Sequence, residues 1–165
     1  MMDFQPKQFL QIRIDEQKCY LWSDGKCLFT APVSTALNGV GEQNGSGKTP
    51  LGWHQVRACI GEGQPINTVF RGRRPTGEIY SEQLAALHPD RDWILTRIMW
   101  LSGLELGKNR LGNVDSMRRY IYIHGTPDTE PMGKPLSHGC IRMRNDAVIQ
   151  LFSMVKPGLP VLIEA

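Results

Sequence analysis

The sequence predicts a mainly β domain with one or two short helices. Apolar, aromatic and β-branched runs of strand length recur along the chain, and Gly- and Pro-containing turns separate them. Helical spacing of apolar residues is confined to short segments. With 165 residues, 41% hydrophobic and 21% charged, the chain can bury roughly 70% of its unfolded surface as one domain. We therefore expect a single domain over residues 1–165.

The strands are predicted from runs that suit a pleated, half-buried backbone. They cover residues 8–14, 17–22, 53–56, 92–101, 120–123 and the closing Val-Leu-Ile. After the second run, Asp24-Gly25 is a two-residue hairpin signal. If these two residues form the loop, Trp22 lies opposite Cys27 and Cys19 lies opposite Thr30.

The four cysteines stand at positions 19, 27, 59 and 140, without Cys-x-x-Cys spacing. In the hairpin register Cys19 and Cys27 point to opposite faces of the sheet, so they cannot pair. Reduced thiols agree with a cytoplasmic protein. We assign Cys19, Cys27 and Cys59 to packing, which leaves Cys140 for chemistry.

The chemistry is concentrated in residues 120–145, YIYIHGTPDTEPMGKPLSHGCIRMRN. A predicted strand ends at His124, a Pro- and Gly-rich loop follows, and the chain returns to Ser137-His138-Gly139-Cys140. A free thiol has a pKa of about 8.5, so a cysteine nucleophile needs a nearby base, which a histidine at a strand end can supply. Glycine beside each histidine leaves room for a substrate backbone, and a turn at Gly139-Cys140 can aim backbone N–H groups at an oxyanion.

The pattern His124-Gly125-Thr126, followed by Ser137-His138-Gly139-Cys140-Ile141-Arg142, resembles the catalytic domain of L,D-transpeptidases, the YkuD domain. Thr49-Pro50-Leu51-Gly52 is similar to the TPxG element of that family, and the closing Gly-Leu-Pro-Val-Leu-Ile is similar to its last strand. The resemblance implies a β-sandwich-like fold. It also implies attack by a cysteine on the amide between the L-centre of a diamino acid and a D-amino acid in a peptidoglycan stem peptide.

The resemblance further implies a role for each motif residue. Cys140 would be the nucleophile, and His124 the proton acceptor and donor. The backbone carbonyl of Gly125 would orient the His124 ring. The oxyanion and substrate-binding side is implied to comprise Ser137, His138, Gly139, Gly125 and Arg142. The resemblance implies no metal and no cofactor.

Charge and hydropathy exclude other classes of protein. The net charge of +3, from 19 basic and 16 acidic residues, is spread along the chain and does not indicate nucleic-acid binding. No segment reaches the roughly eighteen apolar residues of a membrane span. The opening MMDFQPKQFLQIRIDEQ lacks the apolar stretch of a secretory signal. We therefore expect a cytoplasmic protein without membrane insertion. The sequence does not indicate an oligomeric state.

The glycine-rich segment at residues 38–49 is not a phosphate-binding P-loop. Glu42 stands where that motif has its first glycine, and Pro50 follows at once. The following residues predict a strand rather than the required helix. We expect a flexible turn.

Residues 61–90 are rich in Gly, Pro and Arg and are predicted to be a loop with a short helical piece near 81–87. Its arginines, Arg71, Arg73 and Arg74, are either a solvated basic cluster or ligands of stem-peptide carboxylates. Arg118 and Arg119 are the alternative ligands. Residues 105–119 are predicted to be a further loop. In the run 92–101, Arg97 falls on the same side as apolar residues and needs a partner.

A helix is predicted directly after the cysteine loop. Asn145 is a suitable N-cap, apolar residues follow at helical spacing through Val155, and Lys156-Pro157-Gly158 ends the segment. We expect this helix to pack beneath the Cys140 loop.

The sequence thus predicts an enzyme that releases a terminal D-alanine from stem tetrapeptides through a thioester. Such an enzyme is an L,D-carboxypeptidase of murein recycling, and its substrates are peptidoglycan-derived peptides or muropeptides. Resolution of the thioester by an amine would instead make it an L,D-transpeptidase. Two alternatives of another class are a zinc site formed by His124, His138 and Cys140 and a non-catalytic wall-peptide-binding module.

Overall fold

The computed structural model describes residues 4–165, and its strands form one mixed sheet. Residues 1–3 lie outside the described part. The predicted domain and the opening segment, in which no secretory signal is expected, both include these three residues. The strands are β1 (Gln8–Arg13), β2 (Lys18–Ser23), β3 (Lys26–Ser34), β4 (Gly52–Ile60), β5 (Thr68–Arg71), β6 (Arg74–Ile79), β7 (Ile94–Gly103), β8 (Tyr122–Thr126), β9 (Ile141–Arg144) and β10 (Pro160–Glu164). The helices are α1 (Glu82–Leu87), α2 (Asn145–Met154) and a 3-10 turn at Gly112–Val114.

The sheet closes on itself. Its strand order is β4-β10-β1-β2-β3-β9-β8-β7, and β4 also pairs with β7, so eight strands form a ring. Each of the eight contributes apolar side chains to one buried cluster, which α2 joins through Val148 and Leu151. The β5–β6 hairpin continues from the edge of β7 beyond the end of β4. The prediction of a mainly β fold with one or two short helices is confirmed, and the structure has two.

The hairpin between β2 and β3 forms at Asp24-Gly25, where both residues have positive φ (48° and 79°), as the favoured two-residue turn requires. Trp22 pairs with Cys27 as predicted. Cys19 instead pairs with Ala31, because a β-bulge next to Trp22 shifts the register by one residue.

The cysteines in this hairpin have different environments. Cys19 is fully buried in the core, whereas Cys27 is exposed, so the assignment of Cys27 to packing is wrong. All four thiols are free.

Two strands were missed in the segment predicted to be a loop. β5 and β6 form a hairpin whose second strand, RPTGEI, is mostly exposed and contains Pro75 and Gly77. Such residues are accepted at a sheet edge but give no alternating pattern. The short helix that follows is confirmed as α1, which Ser81 caps by accepting from the Leu84 amide at 3.0 Å.

The second helix begins one residue earlier than the capping prediction requires. Arg144 is the N-cap and makes no side-chain cap bond, while Asn145 is the first helical residue, so the prediction that Asn145 caps α2 is wrong. The helix ends at Met154, before the Lys156-Pro157-Gly158 stop. Within residues 4–165 no helix is long and apolar enough to cross a membrane.

Arg97 has the partners that its apolar surroundings require. A bulge between Leu95 and Ile98 breaks the alternation of β7, and Thr96 there has a φ of 74°. The mostly buried guanidinium of Arg97 donates to the carbonyls of Thr96 and Gln64 at 2.6 and 2.9 Å.

Candidate active site

The motif residues meet on the outer face of the ring, where β8 lies between β7 and β9. β8 and β9 run parallel, with His124 beside Arg142. Cys140, the residue before β9, therefore lies next to β8, and its Sγ accepts from the Tyr122 amide at 3.4 Å. The prediction that the strand ends at His124 is wrong, because β8 continues to Thr126.

A cavity of about 530 Å³ opens on this face. It contains five of the predicted site residues, namely His124, Ser137, His138, Cys140 and Arg142. The other lining residues are Phe70, Gly72, Arg73, Asp92, Ile94, Ile98, Tyr120 and Tyr122. Gly125 and Gly139 do not line the cavity, so they act on the site through the backbone.

His124 is buried and held in a defined tautomer. Its Nδ1 lies 2.6 Å from the Gly125 carbonyl oxygen. A carbonyl only accepts, so Nδ1 carries the proton and Nε2 has a free lone pair. Burial lowers the pKa of His124, although Gly125 and Asp92 act in the opposite direction. The ring is therefore neutral at pH 7, as a general base must be.

The Cys140 thiol is protonated at rest. Burial raises the pKa of Cys140 to about 12, and the Tyr122 amide offsets only part of this effect. Its Sγ–H donates to the Tyr120 carbonyl at 3.3 Å rather than to His124. The pair is thus a neutral thiol and a neutral imidazole, and transfer of the thiol proton to His124 would require the thiol to leave its hydrogen bond with Tyr120.

Hydrogen bonds from two hydroxyl groups fix the turn before Cys140. Ser137 Oγ donates to the Cys140 carbonyl at 2.6 Å and accepts from the Gly139 amide at 3.2 Å. Thr49, in the TPxG-like segment, donates to the Gly139 carbonyl at 2.9 Å. Gly139 has a φ of 130°, which favours glycine. The Gly139 amide donates to Ser137 Oγ and is therefore not free for an oxyanion. Gly139 would contribute to oxyanion binding only by shaping the turn, and this role stays a prediction.

Gly125 makes room for the protein itself rather than for a substrate. A Cβ there would collide with Asn145 Oδ1 and would lie 2.6 Å from the Leu95 carbonyl oxygen. The expectation that this glycine admits a substrate backbone is therefore wrong. The absence of a side chain lets the start of α2 approach β8 closely.

Asn145 uses its side chain to connect the elements around His124. Its Oδ1 accepts from Thr96 Oγ1 at 2.6 Å, and its Nδ2 donates to the Thr126 carbonyl at 2.9 Å and to Asp128 Oδ1 at 3.2 Å. The side chain is fully buried. This explains why Asn145 lies inside α2 instead of capping it.

We expect Asn145→Ala to lower the free energy of unfolding by about 3 kcal/mol, because at buried positions the Thr96 O–H loses its acceptor and the Thr126 carbonyl loses a donor. Urea unfolding measures this loss. The matched control is Asn113→Ala, which removes one exposed bond to Gln43 and should change stability by less than about 0.5 kcal/mol. Equal effects of the two substitutions would contradict the expectation.

Asp92 is a site residue that the sequence did not reveal. Its carboxylate accepts from Arg142 Nη2 at 3.0 Å and from His138 Nδ1 at 3.3 Å. Burial raises the pKa of Asp92, but His124, Arg142 and His138 together bring it below its ordinary value. Asp92 thus stays ionised and holds Arg142 and His138 at the cavity. A charged residue before a strand carries no distinguishing sequence signal.

Of the arginines considered as substrate ligands, Arg73 lines the cavity and Arg71 and Arg74 do not. Its Nη1 donates to the Tyr122 hydroxyl at 3.2 Å, and its guanidinium lies 4.6 Å from the Trp100 ring and 5.0 Å from the Tyr120 ring. The aromatic rings hold the cation at the cavity rim.

Arg118 is exposed. Arg119 is committed elsewhere, since it donates to the carbonyls of Lys48 and Gly41 at 2.6 and 3.3 Å. Arg119 therefore holds the glycine-rich turn and is not available to a substrate.

The zinc hypothesis gains no support from the geometry. Within residues 4–165 no group of three or more His, Cys, Asp or Glu side chains is placed to hold a metal ion. His124 and Cys140 instead contact the backbone carbonyls of Gly125 and Tyr120.

A family profile described as "L,D-transpeptidase catalytic domain", YkuD, matches residues 7–163. The chain therefore belongs to the L,D-transpeptidase catalytic domain family. It is similar to two Bacillus subtilis (strain 168) proteins. It is 54% identical over 41 residues to "Putative L,D-transpeptidase YqjB", covering 25% of this chain and 23% of that protein. It is 46% identical over 46 residues to "Putative L,D-transpeptidase YkuD", covering 28% of each.

Solved structures show the same fold over nearly the whole chain. An L,D-transpeptidase fragment from Xylanimonas cellulosilytica superposes with a TM-score of 0.62 at 17% identity, covering 99% of this chain and 63% of that one. The catalytic domain of the E. faecium L,D-transpeptidase acylated by ertapenem gives a TM-score of 0.56 at 17% identity, covering 98% of this chain and all of that one. At such identity these likenesses establish the fold.

Proposed function

We propose that this protein cleaves the bond between the L-centre of a diamino acid and the terminal D-amino acid of peptidoglycan stem peptides, through a thioester on Cys140. One observation carries the proposal. The Cys140 thiol shares a single cavity with His124, whose Nδ1 is fixed on Gly125 so that Nε2 is free. Membership of the L,D-transpeptidase catalytic domain family supports the choice of substrate.

The neutral state of both groups defines how the first step proceeds. His124 Nε2 takes the proton of the Cys140 thiol while Sγ attacks the carbonyl carbon of the L-centre, because a thiol with a pKa of about 12 does not ionise beforehand. The C–N bond then breaks, and His124 returns the proton to the departing amine. A thioester on Cys140 and a free D-amino acid result.

The acceptor of the acyl group decides between two activities. We propose water as the principal acceptor, which gives an L,D-carboxypeptidase that releases D-alanine from cytoplasmic recycled peptides. Cys140 is a partly exposed residue that lines a cavity on the outer face of the ring, which supports access of water. An amine acceptor, which gives L,D-transpeptidation, is the second candidate, and the names of the B. subtilis relatives favour it.

Mass spectrometry of the protein with a disaccharide tetrapeptide, alone and with an added D-amino acid, tests the proposal. Tripeptide and free D-alanine from the peptide alone support hydrolysis, whereas product that requires the added D-amino acid supports transpeptidation. Binding without either product would indicate the non-catalytic module. Fractionation of the source cells, with marker enzymes for each compartment, tests the cytoplasmic location.

Arg73→Gln is expected to raise KM for the tetrapeptide about tenfold with little change in kcat, because a charge-assisted contact to a substrate carboxylate is lost. Steady-state release of D-alanine measures both constants. The matched controls are Arg71→Gln and Arg74→Gln, whose side chains do not line the cavity. If all three substitutions raise KM equally, the rise reflects the loss of positive charge in general and not a specific contact of Arg73.

A further inference from the structure

The outer face that carries the catalytic residues continues along β7. Ile98 and Trp100 pair with His124 and Tyr122 of β8. Since side chains alternate along a strand, Ser102 lies on the same face as Trp100, about 7 Å further along. The catalytic face therefore extends past Trp100 to Ser102.

A second cavity of about 190 Å³ lies at Ser102. Its lining residues are Gln55, Arg57, Ser102, Gly103, Leu104, Arg110, Leu111, Asp115 and Met117. Ser102 is only 8% exposed, and its Oγ has no hydrogen-bond partner within residues 4–165. A buried hydroxyl without a partner is costly unless a ligand or solvent satisfies it.

Two of the three charged residues that line this cavity are arginines. Arg57 and Arg110 are exposed and form no ion pair with the other residues that the structure describes. Asp115 does not neutralise them by direct contact, because its two oxygens accept from the Leu111 amide at 2.7 Å and the Arg118 amide at 2.9 Å. Two guanidinium groups and a hydroxyl donor suit a carboxylate.

Trp100 contacts residues that line each of the two cavities. The Arg73 guanidinium, from the catalytic cavity, lies 4.6 Å from its ring, and the Arg57 guanidinium, from the second cavity, lies 6.0 Å from it. Its Nε1 donates to the carbonyl of Met117, a lining residue of the second cavity, at 3.1 Å. A peptide lying across Trp100 would touch both cavities.

We propose that the cavity at Ser102 is a carboxylate subsite of the active site, which binds an acidic group of a peptide whose reacting bond lies at Cys140. This inference rests on the proposed function. An extended tetrapeptide spans about 13 Å, enough to reach past Trp100 from the catalytic cavity. The carboxylate belongs either to the cleaved peptide or to a separate acceptor molecule, and the test separates the two sources.

The first arm of the test uses turnover. Amidation of the non-terminal carboxylates of the tetrapeptide should raise KM about tenfold in the parent protein, with kcat unchanged. Ser102→Ala and Arg110→Gln should reduce this discrimination to less than about twofold, while Lys26→Gln, at the start of β3 and outside both cavities, should retain it. If amidation of the tetrapeptide has no effect but amidation of the added D-amino acid raises its KM in the exchange reaction, and Ser102→Ala removes that effect, the carboxylate belongs to the acceptor. Equal discrimination in all variants would overturn the subsite.

The second arm does not depend on turnover. Acetate and inorganic phosphate are titrated into the Cys140→Ala protein, and the amide resonances of Gly103 and Leu104 are followed by NMR. Saturable shifts that disappear in Ser102→Ala support the subsite even if no peptide is cleaved. The subsite can therefore be supported or contradicted independently of the proposed function. Absence of saturation with both anions would overturn it. Because Ser102→Ala removes an unpaired buried hydroxyl, it should not destabilise the fold.

Discussion

Cys140→Ala is expected to abolish both thioester formation and release of the D-amino acid while leaving peptide binding intact. The substitution removes the one group placed to attack, and the partners of Sγ, the Tyr122 amide and the Tyr120 carbonyl, line an accessible cavity where water replaces the lost contacts. Intact-protein mass spectrometry should show an acyl adduct on the parent and none on the variant. Calorimetry with the tetrapeptide should give dissociation constants within about threefold of each other.

The matched control is Cys27→Ser, which removes a thiol that is exposed and lies in the β2–β3 hairpin. It should keep full activity and form the same adduct. D-alanine release by Cys140→Ala at more than about one thousandth of the parent rate would contradict assignment of Cys140 as the nucleophile.

The main residues of the candidate site could be selected from the sequence because Cys140, His124 and the glycines beside them fall within one short stretch, and the structure brings Cys140 and His124 to one cavity. Their placement depends on pairing that is not local. The parallel register of β8 and β9 places Arg142 beside His124, and the residues between them form the connecting loop. Apolar, aromatic and β-branched runs of strand length predicted the mainly β fold, since such runs suit a pleated, half-buried backbone.

The supporting groups could not be predicted, because each acts through a partner distant in sequence. Asp92 reaches Arg142 across 50 positions, and Thr49 reaches the Gly139 carbonyl across 90. Asparagine is a residue type that often caps helices, but the Asn145 side chain binds the buried Thr96 and Thr126 instead of the first-turn amides. A polar residue's local preference is overridden when tertiary contacts satisfy it.

Bulges are the other source of error, since they leave no periodic signal. An extra residue in the β2–β3 pairing moves Cys19 opposite Ala31, and the irregular stretch around Thr96 lets Arg97 turn its guanidinium to backbone carbonyls. At Thr96 the irregularity also connects to the candidate site. It places the hydroxyl that binds Asn145, which in turn holds the end of β8 behind His124.

His124→Gln is expected to lower kcat about a thousandfold, because glutamine cannot accept the thiol proton. In the parent, kcat/KM should stay constant from pH 8 to about 6.5 and fall only at lower pH. The sign follows from the lowered pKa of His124, whose main cause is burial: the ring remains neutral to a lower pH than a free histidine, and protonation then removes the base. The variant should show no such acidic decline.

The matched control is His88→Gln, an exposed histidine outside the cavity, which should preserve both kcat and the pH profile. Iodoacetamide provides an independent measurement of the resting state. Because the pKa of the Cys140 thiol is raised to about 12, its alkylation rate in a Cys27→Ser background should rise continuously from pH 7 to 10. A plateau already at pH 6 would mean that Cys140 and His124 rest as a thiolate and an imidazolium, and would contradict the concerted proton transfer.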